Sequence, residues 1–123
     1  MKTLGIDYGR SKVGLALGVD KFAEPFKVIR YKDINKLVLQ VLQVIQVEQV
    51  EKVIVGISEG EMGEESKKFA KKLGAETFDE TLSTQDAQRM SLEAGIGQKK
   101  RHQMEDAYAA AIMLQNYIDS NII

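Results

Sequence analysis

The sequence predicts a mixed α/β fold, and three observations support that prediction. Apolar residues alternate with small or polar ones in the N-terminal segments, which is the period of β-strands. Helical spacing of apolar residues begins after Asp33, and a nearly continuous apolar run, KVIVGI, follows at 52–57. The complete order of elements, βββαβαβαα, predicts a mixed sheet with helices on its faces.

The N-terminal quarter of the chain predicts three consecutive strands. Residues 2–8 and 13–19 show the alternation, and the segment GRSK at 9–12 has the glycine and polar content of a hairpin connection. Residues 23–31 predict the third strand, with the one proline of the chain, Pro25, near its start.

A helix follows, with Asp33 as its predicted N-cap. Its buried stripe is predicted to contain Ile34, Leu37, Val38, Val41, Leu42 and Ile45. A Gln-Val repeat places Val44, Val47 and Val50 off that stripe, which we interpret as a broad buried face. The remaining predictions are a strand at 52–57, a helix at 64–73 ending at Gly74, a strand at 75–79, a helix from Ser83 or Thr84 to Ala94, and a helix from Met104 to Asp119.

Length and composition limit the possible functions. The 123 residues predict a single domain, 1–123. With no cysteine and only His102 as histidine, cysteine nucleophiles and histidine-rich metal sites are excluded. The net charge of −1 argues against nonspecific coating of nucleic acid but leaves room for a local basic face. We expect a cytoplasmic protein without a signal peptide or membrane span.

Three carboxylates occupy unusual positions. Asp7 lies within the first strand, Glu80 follows the strand at 75–79, and Asp106 lies in the first turn of the last helix. Asp106 shares a helical stripe with Ala109, Ala110 and Met113, which directs it toward the sheet. A carboxylate just inside a sheet requires a metal, a cation or several donors to compensate it.

A hard divalent cation, Mg²⁺ or Mn²⁺, would resolve the repulsion among three converging carboxylates. Such a site suits hydrolysis of a phosphodiester, because the ion lowers the pKa of a bound water. Each acid also has a structural interpretation: Asp7 as a satisfied polar residue at the hairpin, Glu80 as a residue that simply precedes a helix, and Asp106 as a partner of the helix dipole. The functional hypothesis therefore depends on the three together.

Four ordered blocks of the sequence carry a family resemblance. They are LGIDYGRSKVGLALG, VIVGI with GEMGEESKKFAKKLG, FDETLST, and EDAYAAAIMLQNYI. Together they resemble the YqgF (RuvX-like) family of Holliday junction resolvases, also described as nucleases that mature 16S ribosomal RNA. The resemblance implies an RNase H-like three-layer α/β/α fold, with a five-stranded mixed sheet whose first three strands are antiparallel.

The resemblance also implies an activity, that of a metal-dependent nuclease, a hydrolase acting on ester bonds in structured nucleic acid. The family's acids fall on Asp7, Glu80 and Asp106, as catalytic residues and ligands of Mg²⁺ or Mn²⁺. A four-way DNA junction and precursor ribosomal RNA both stay open as substrates, as do a monomer and a homodimer.

The sequence departs from the family pattern at two residues, and it is also on the short side. Thr81 stands where the family typically has arginine, and Ser58 where it commonly has proline. The missing arginine bears on catalytic strength more than on fold. Asp79 adjoins Glu80, and a β-bulge would exchange their roles.

Basic residues near these acids are candidates for phosphate contacts. They are Arg10 and Lys12 in the first hairpin and Lys99, Lys100 and Arg101 in the loop before the last helix. A solvated charged loop is the alternative for the second group. Tyr8 is a candidate for stacking on a base or for the core.

Two other functions compete with the nuclease hypothesis. The segment GIDYGRSKVGLA also resembles the first phosphate loop of the actin-like ATPase superfamily, although that superfamily uses two such domains and no second phosphate loop follows here. The other alternative is a nucleic-acid-binding domain that has kept the fold and lost catalysis, which Thr81 favours and the three acids disfavour.

Overall fold

The computed structural model describes residues 1–57, 60–79 and 104–120 of the chain. Its elements are β1 (Lys2–Tyr8), β2 (Lys12–Val19), β3 (Phe22–Arg30), α1 (Ile34–Val47), β4 (Lys52–Ile57), α2 (Glu61–Leu73), β5 (Glu76–Asp79) and α3 (Glu105–Ser120). The helix predicted up to Ala94 and the basic loop at 99–102 lie outside the described residues.

The strands form a five-stranded sheet in the order β3-β2-β1-β4-β5. β1 pairs antiparallel with β2, and β2 antiparallel with β3. β4 pairs parallel with β1, and β5 parallel with β4. The predicted mixed sheet with three antiparallel N-terminal strands is therefore confirmed, and β1 lies at its centre.

Helices α1 and α2 cover one face of the sheet. Alternate residues of β1 and β2, among them Leu4, Ile6 and Leu15, pack there against Leu37 of α1 and Phe69 of α2, all of them almost fully buried. Burial of large side chains of this kind contributes about 1.5 to 3 kcal/mol each to stability.

Helix α3 covers the opposite face. Its Ala107, Ala110 and Ala111 are fully buried, and small side chains there let the helix axis come close to the sheet. Ile54 of β4 joins this second cluster, whereas its neighbour Val55 belongs to the first. The prediction that residues 52–57 form a strand covered on both sides is therefore confirmed.

The boundaries of two helices refine the sequence predictions. Asp33 caps α1 as predicted, because its side chain accepts a hydrogen bond from the Asn35 main-chain N–H at 2.9 Å. Within α1, Leu42 is exposed although the predicted stripe includes it, and the broad buried face is confirmed only in part, because Val44 is buried and Val47 is exposed. Helix α2 begins at Glu61 rather than at 64 and ends before Gly74, whose φ of 67° is favourable for glycine.

Candidate functional site

Asp7 lies near the end of the central strand β1, opposite Gly14 of β2 and Gly56 of β4. A Cβ atom on Gly14 would collide with the main chain of α3, so position 14 faces that helix. Directly opposite residues of an antiparallel pair point to the same face of the sheet. The partly exposed Asp7 side chain therefore lies on the face covered by α3.

Asp106 is brought to the same corner by the first turn of α3. A Cβ on Gly14 would come within 2.0 Å of the Asp106 main-chain oxygen, so the helix start lies directly over Gly14. Further along α3, Ala110 and Met113 are fully buried, as the predicted stripe requires. The structure therefore places Asp7 and Asp106 on one face, with Gly14 between their elements.

A cation from the neighbouring strand is part of this corner. The Lys12 Nζ atom lies 3.1 Å from Oδ2 of Asp106, and the two side chains are 37% and 29% exposed. Lys12 precedes Gly14 by two residues on β2 and so shares its face. Lys12 was predicted as a phosphate contact, and in the structure its ammonium is bound by a carboxylate.

The third predicted acid, Glu80, lies outside the described residues, as do Lys99, Lys100 and Arg101. Among the residues that the structure describes, no group of three or more acidic or histidine side chains is placed to hold a metal ion. The structure therefore shows two of the three predicted acids on one face and leaves their convergence with Glu80 a prediction.

Asp79 faces away from Asp7. Phe78, its neighbour on β5, contacts Tyr117 of α3 edge-on, with ring centroids 5.6 Å apart. Alternation along β5 then directs Asp79 to the opposite face, where it lines a cavity of ≈ 380 Å³ together with Gly63 and Lys67 of α2.

The hairpin beside Asp7 is anchored on the α2 side of the sheet. The Tyr31 hydroxyl donates a hydrogen bond to the Gly9 carbonyl, and the Tyr31 main-chain N–H donates one to Ser11 at 3.0 Å. Burial raises the pKa of the Tyr31 hydroxyl above its ordinary value of about 10, so the hydroxyl remains a donor well into the alkaline range. The Tyr8 ring stacks on the Phe69 ring, with centroids 4.7 Å apart, so it packs in the core and does not stack on a base.

Arg10, at the tip of this hairpin, bridges to helix α2. Its Nε atom donates to Glu65 at 3.0 Å and its Nη2 to Glu61 at 3.4 Å. Hydrogen bonding to Glu65, then the Coulomb attraction of that carboxylate, raises the pKa of Arg10. A phosphate contact by Arg10 would therefore have to compete with two carboxylates.

One basic residue escaped the sequence analysis. Arg30, the last residue of β3, lies opposite Lys12 in the β2–β3 register and so is on the same face as Lys12 and Asp106. It is exposed. Only the strand register could have revealed this, because Arg30 belongs to no motif and is distant from the acids in sequence.

Within the described residues, no helix combines the length and the apolar character needed to cross a bilayer.

Comparison with known families decides the assignment. A family model described as "RuvX: Holliday junction resolvase" matches residues 1–120. The chain belongs to the RuvX family. The predicted family relationship is confirmed, and the family is one of nucleases, hydrolases acting on phosphodiester bonds.

Relatives of similar length support membership of the RuvX family. A protein of Endomicrobium trichonymphae is 32% identical over 96% of this chain and 95% of its own length. One from Desulforamulus reducens is 34% identical over 98% of both chains. Both carry the name "Putative pre-16S rRNA nuclease".

Solved structures confirm the RNase H-like fold. Thermus thermophilus RuvC in complex with a Holliday junction substrate matches with a TM-score of 0.62, at 17% identity, over 98% of this chain and 96% of that one. Fowlpox virus resolvase, in complex with Holliday junction DNA, matches with a TM-score of 0.64, at 13% identity, over the whole of both chains. Ser58 and Thr81, at which this sequence departs from the family pattern, lie outside the described residues.

Proposed function

We propose that residues 1–123 form one nuclease domain that hydrolyses phosphodiester bonds in structured nucleic acid with a divalent cation. The observation that supports this best is the shared face of Asp7 and Asp106, which two unconnected elements bring to one corner. Glu80 is the proposed third acid, because Asp79 faces away from Asp7 while alternation favours the next residue.

The donors present fit a hard cation. Carboxylate oxygens are the ligands that Mg²⁺ and Mn²⁺ prefer, and Asp7 and Asp106 supply them from a strand and a helix that are both firmly packed. When bound, the ion supplies the positive charge that activates water and stabilises the leaving oxygen. The chain's own part is to hold Asp7 and Asp106 in place and to orient the phosphate beside them.

Basic residues on the same face are the proposed phosphate contacts. Lys12 and Arg30 lie opposite each other in the β2–β3 register, and Lys12 contacts Asp106. Arg10 is proposed as a weaker contact because Glu61 and Glu65 already hold it. Lys99, Lys100 and Arg101 complete the proposed set from the sequence alone. Such contacts fix the register of a nucleic acid without reading its sequence.

The substrate is proposed from the relatives and neighbours. Curated relatives are named for pre-16S rRNA, and the similar solved structures hold Holliday junctions. Both are structured nucleic acids, so we propose that class and test its two members. A monomer would suffice for trimming RNA, whereas symmetrical resolution of a junction would suit a homodimer. A cytoplasmic site of action stays a prediction.

The test is a cleavage assay with Mn²⁺ on a four-way DNA junction and on precursor 16S rRNA. The variant Asp7→Asn should lower cleavage of the true substrate by more than about 100-fold, because it removes a proposed ligand. The matched control is Asp20→Asn, which makes the same chemical change at an exposed turn beside the N-terminus. Circular dichroism should show both variants folded. Equal cleavage by wild type and Asp7→Asn would contradict the proposal.

The binding-domain alternative is tested in the same experiment. A protein that binds both nucleic acids but neither cleaves them nor takes up Mn²⁺ in a calorimetric titration would be such a domain. The family match over residues 1–120 disfavours the ATP-binding alternative. Tight binding in an ATP titration would support that alternative instead.

A further inference from the structure

We propose that Lys12 is an internal counter-ion of Asp106, which a divalent cation must displace to enter the site. This inference rests on the proposed function, since it takes Asp106 as a ligand of that cation. It assigns Lys12, besides its proposed phosphate contact, a second role in the metal-free protein: lowering the affinity of the site for metal.

The geometry of the ion pair supports this role. The Lys12 ammonium is 3.1 Å from Oδ2 of Asp106, which is direct contact with an atom that the cation would use. Both side chains are roughly two-thirds buried, at 37% and 29% exposure, so solvent screens the pair less than it would on an open surface. A cation binding to Asp106 must therefore compete with a positive charge already there.

The second carboxylate explains why a counter-ion belongs at this corner. Asp7 and Asp106 lie on one face, and Lys12 shares that face on the adjoining strand. Like charges brought together in a partly dry site repel, and an opposite charge at close range offsets that repulsion. Lys12 therefore stabilises the metal-free protein at the expense of metal affinity.

A similar pair elsewhere in the fold provides a matched control. Lys2 Nζ lies 3.2 Å from Oε1 of Glu48, with side chains 34% and 27% exposed, almost the same geometry as Lys12 and Asp106. Lys2 is five positions before Asp7 on β1, about 16 Å away along an extended strand. The variant Lys2→Met should therefore remove an equivalent ion pair without touching the proposed site.

The experiment is a calorimetric titration of the full chain with Mn²⁺. The variant Lys12→Met should bind Mn²⁺ about 2- to 5-fold more tightly than wild type, as expected for loss of one partly exposed ion pair. Lys12→Arg keeps the charge and should retain wild-type affinity, and Lys2→Met should also retain it. In EDTA, Lys12→Met should have a lower melting temperature than wild type, and Mn²⁺ should raise its melting temperature more.

The outcomes separate this inference from the proposed function. If wild type gives no Mn²⁺ binding heat, or if Asp106→Asn binds Mn²⁺ as wild type does, the proposed metal site is wrong and the inference fails with it. If wild type binds, Asp106→Asn binds more weakly and Lys12→Met is unchanged or weaker, the counter-ion role alone is overturned. Should Lys12→Met fail to fold, Lys12→Gln removes the same charge and is judged by the same criterion.

Discussion

The main-chain carbonyl of Asp106 lies over Gly14, so closely that a Cβ atom on Gly14 would come within 2.0 Å of the carbonyl oxygen and 2.1 Å of its carbon. Gly14 is also the register partner of Asp7. One glycine thus lies beside both acids, and the absence of its side chain permits the start of α3 to approach the sheet. The position of Asp106 relative to Asp7 therefore depends on how closely α3 approaches Gly14.

The variant Gly14→Ala should therefore be both less stable and less active. The new methyl group meets main-chain atoms, which cannot rotate away, so we expect destabilisation of about 2 kcal/mol or more in urea unfolding. Since α3 must shift, Asp106 moves with it and Mn²⁺ affinity should fall. The control is Gly18→Ala on the same strand and face, where the methyl group would clash with Oγ1 of the buried Thr3 and meet Ile118 and Leu114, so it should also lower stability but leave Asp106 in place and Mn²⁺ affinity unchanged. Undiminished Mn²⁺ affinity in Gly14→Ala would contradict this account.

Arg30 should contribute to nucleic-acid binding through phosphate. Replacement by alanine should weaken binding to any sequence by a similar factor and reduce the slope of log K against log salt by about 1. Lys27, on the same strand, offers the control, because it lies opposite Leu15 on the face of α1 and α2. Binding measured by fluorescence anisotropy between 50 and 200 mM salt (roughly the range over which such contacts are screened) should leave Lys27→Ala close to wild type. An unchanged slope for Arg30→Ala would remove it from the interface.

The elements, and the positions of Asp7 and Asp106 within them, were predictable from local patterns. Strand alternation and helical spacing depend on neighbours in sequence. The predicted bounds of β1 and β4 therefore match the structure, and those of α3 differ by one residue at each end. Asp7 was conspicuous because a carboxylate interrupted an apolar strand, and Asp106 because it shared a stripe with small apolar residues. Both inferences needed only the periodicity of one element.

Interactions across elements were not predictable in this way. The pairing of Lys12 with Asp106 and the position of Arg30 opposite Lys12 both depend on strand register and on where α3 begins. In α1, the burial of Val44 and the exposure of Leu42 depend on how the helix is rotated against the sheet. A helix with apolar residues on a broad face leaves that rotation undetermined, because several stripes would be adequately buried.

The contact between Tyr117 and Glu76, which is far from the proposed site, predicts how the stability of the fold varies with pH. The Tyr117 hydroxyl donates a hydrogen bond to Oε2 of Glu76 at 2.6 Å, and Lys52 Nζ lies 3.1 Å from Oε1. The hydrogen bond from Tyr117, followed by that from Lys52, lowers the pKa of Glu76. A carboxyl group with a lowered pKa in the folded state stabilises it above the unfolded pKa, about 4.3 for glutamate. That contribution is lost as pH falls through the folded-state pKa.

The variant Tyr117→Phe should therefore be less stable than wild type near pH 7, with a difference that shrinks as the pH is lowered below about 4. Because Glu76 is half exposed, solvent screening should keep the difference under about 1 kcal/mol. Urea midpoints measured across this range, for Tyr117→Phe in the wild-type and Glu76→Gln backgrounds, provide the check. In the Glu76→Gln background the loss of stability caused by Tyr117→Phe should not vary with pH, because the carboxylate that titrates is absent. A pH-dependent difference that persists in the Glu76→Gln background would assign the effect to another group. A stability difference that is constant with pH in both backgrounds would mean that Tyr117 acts only through packing on Phe78.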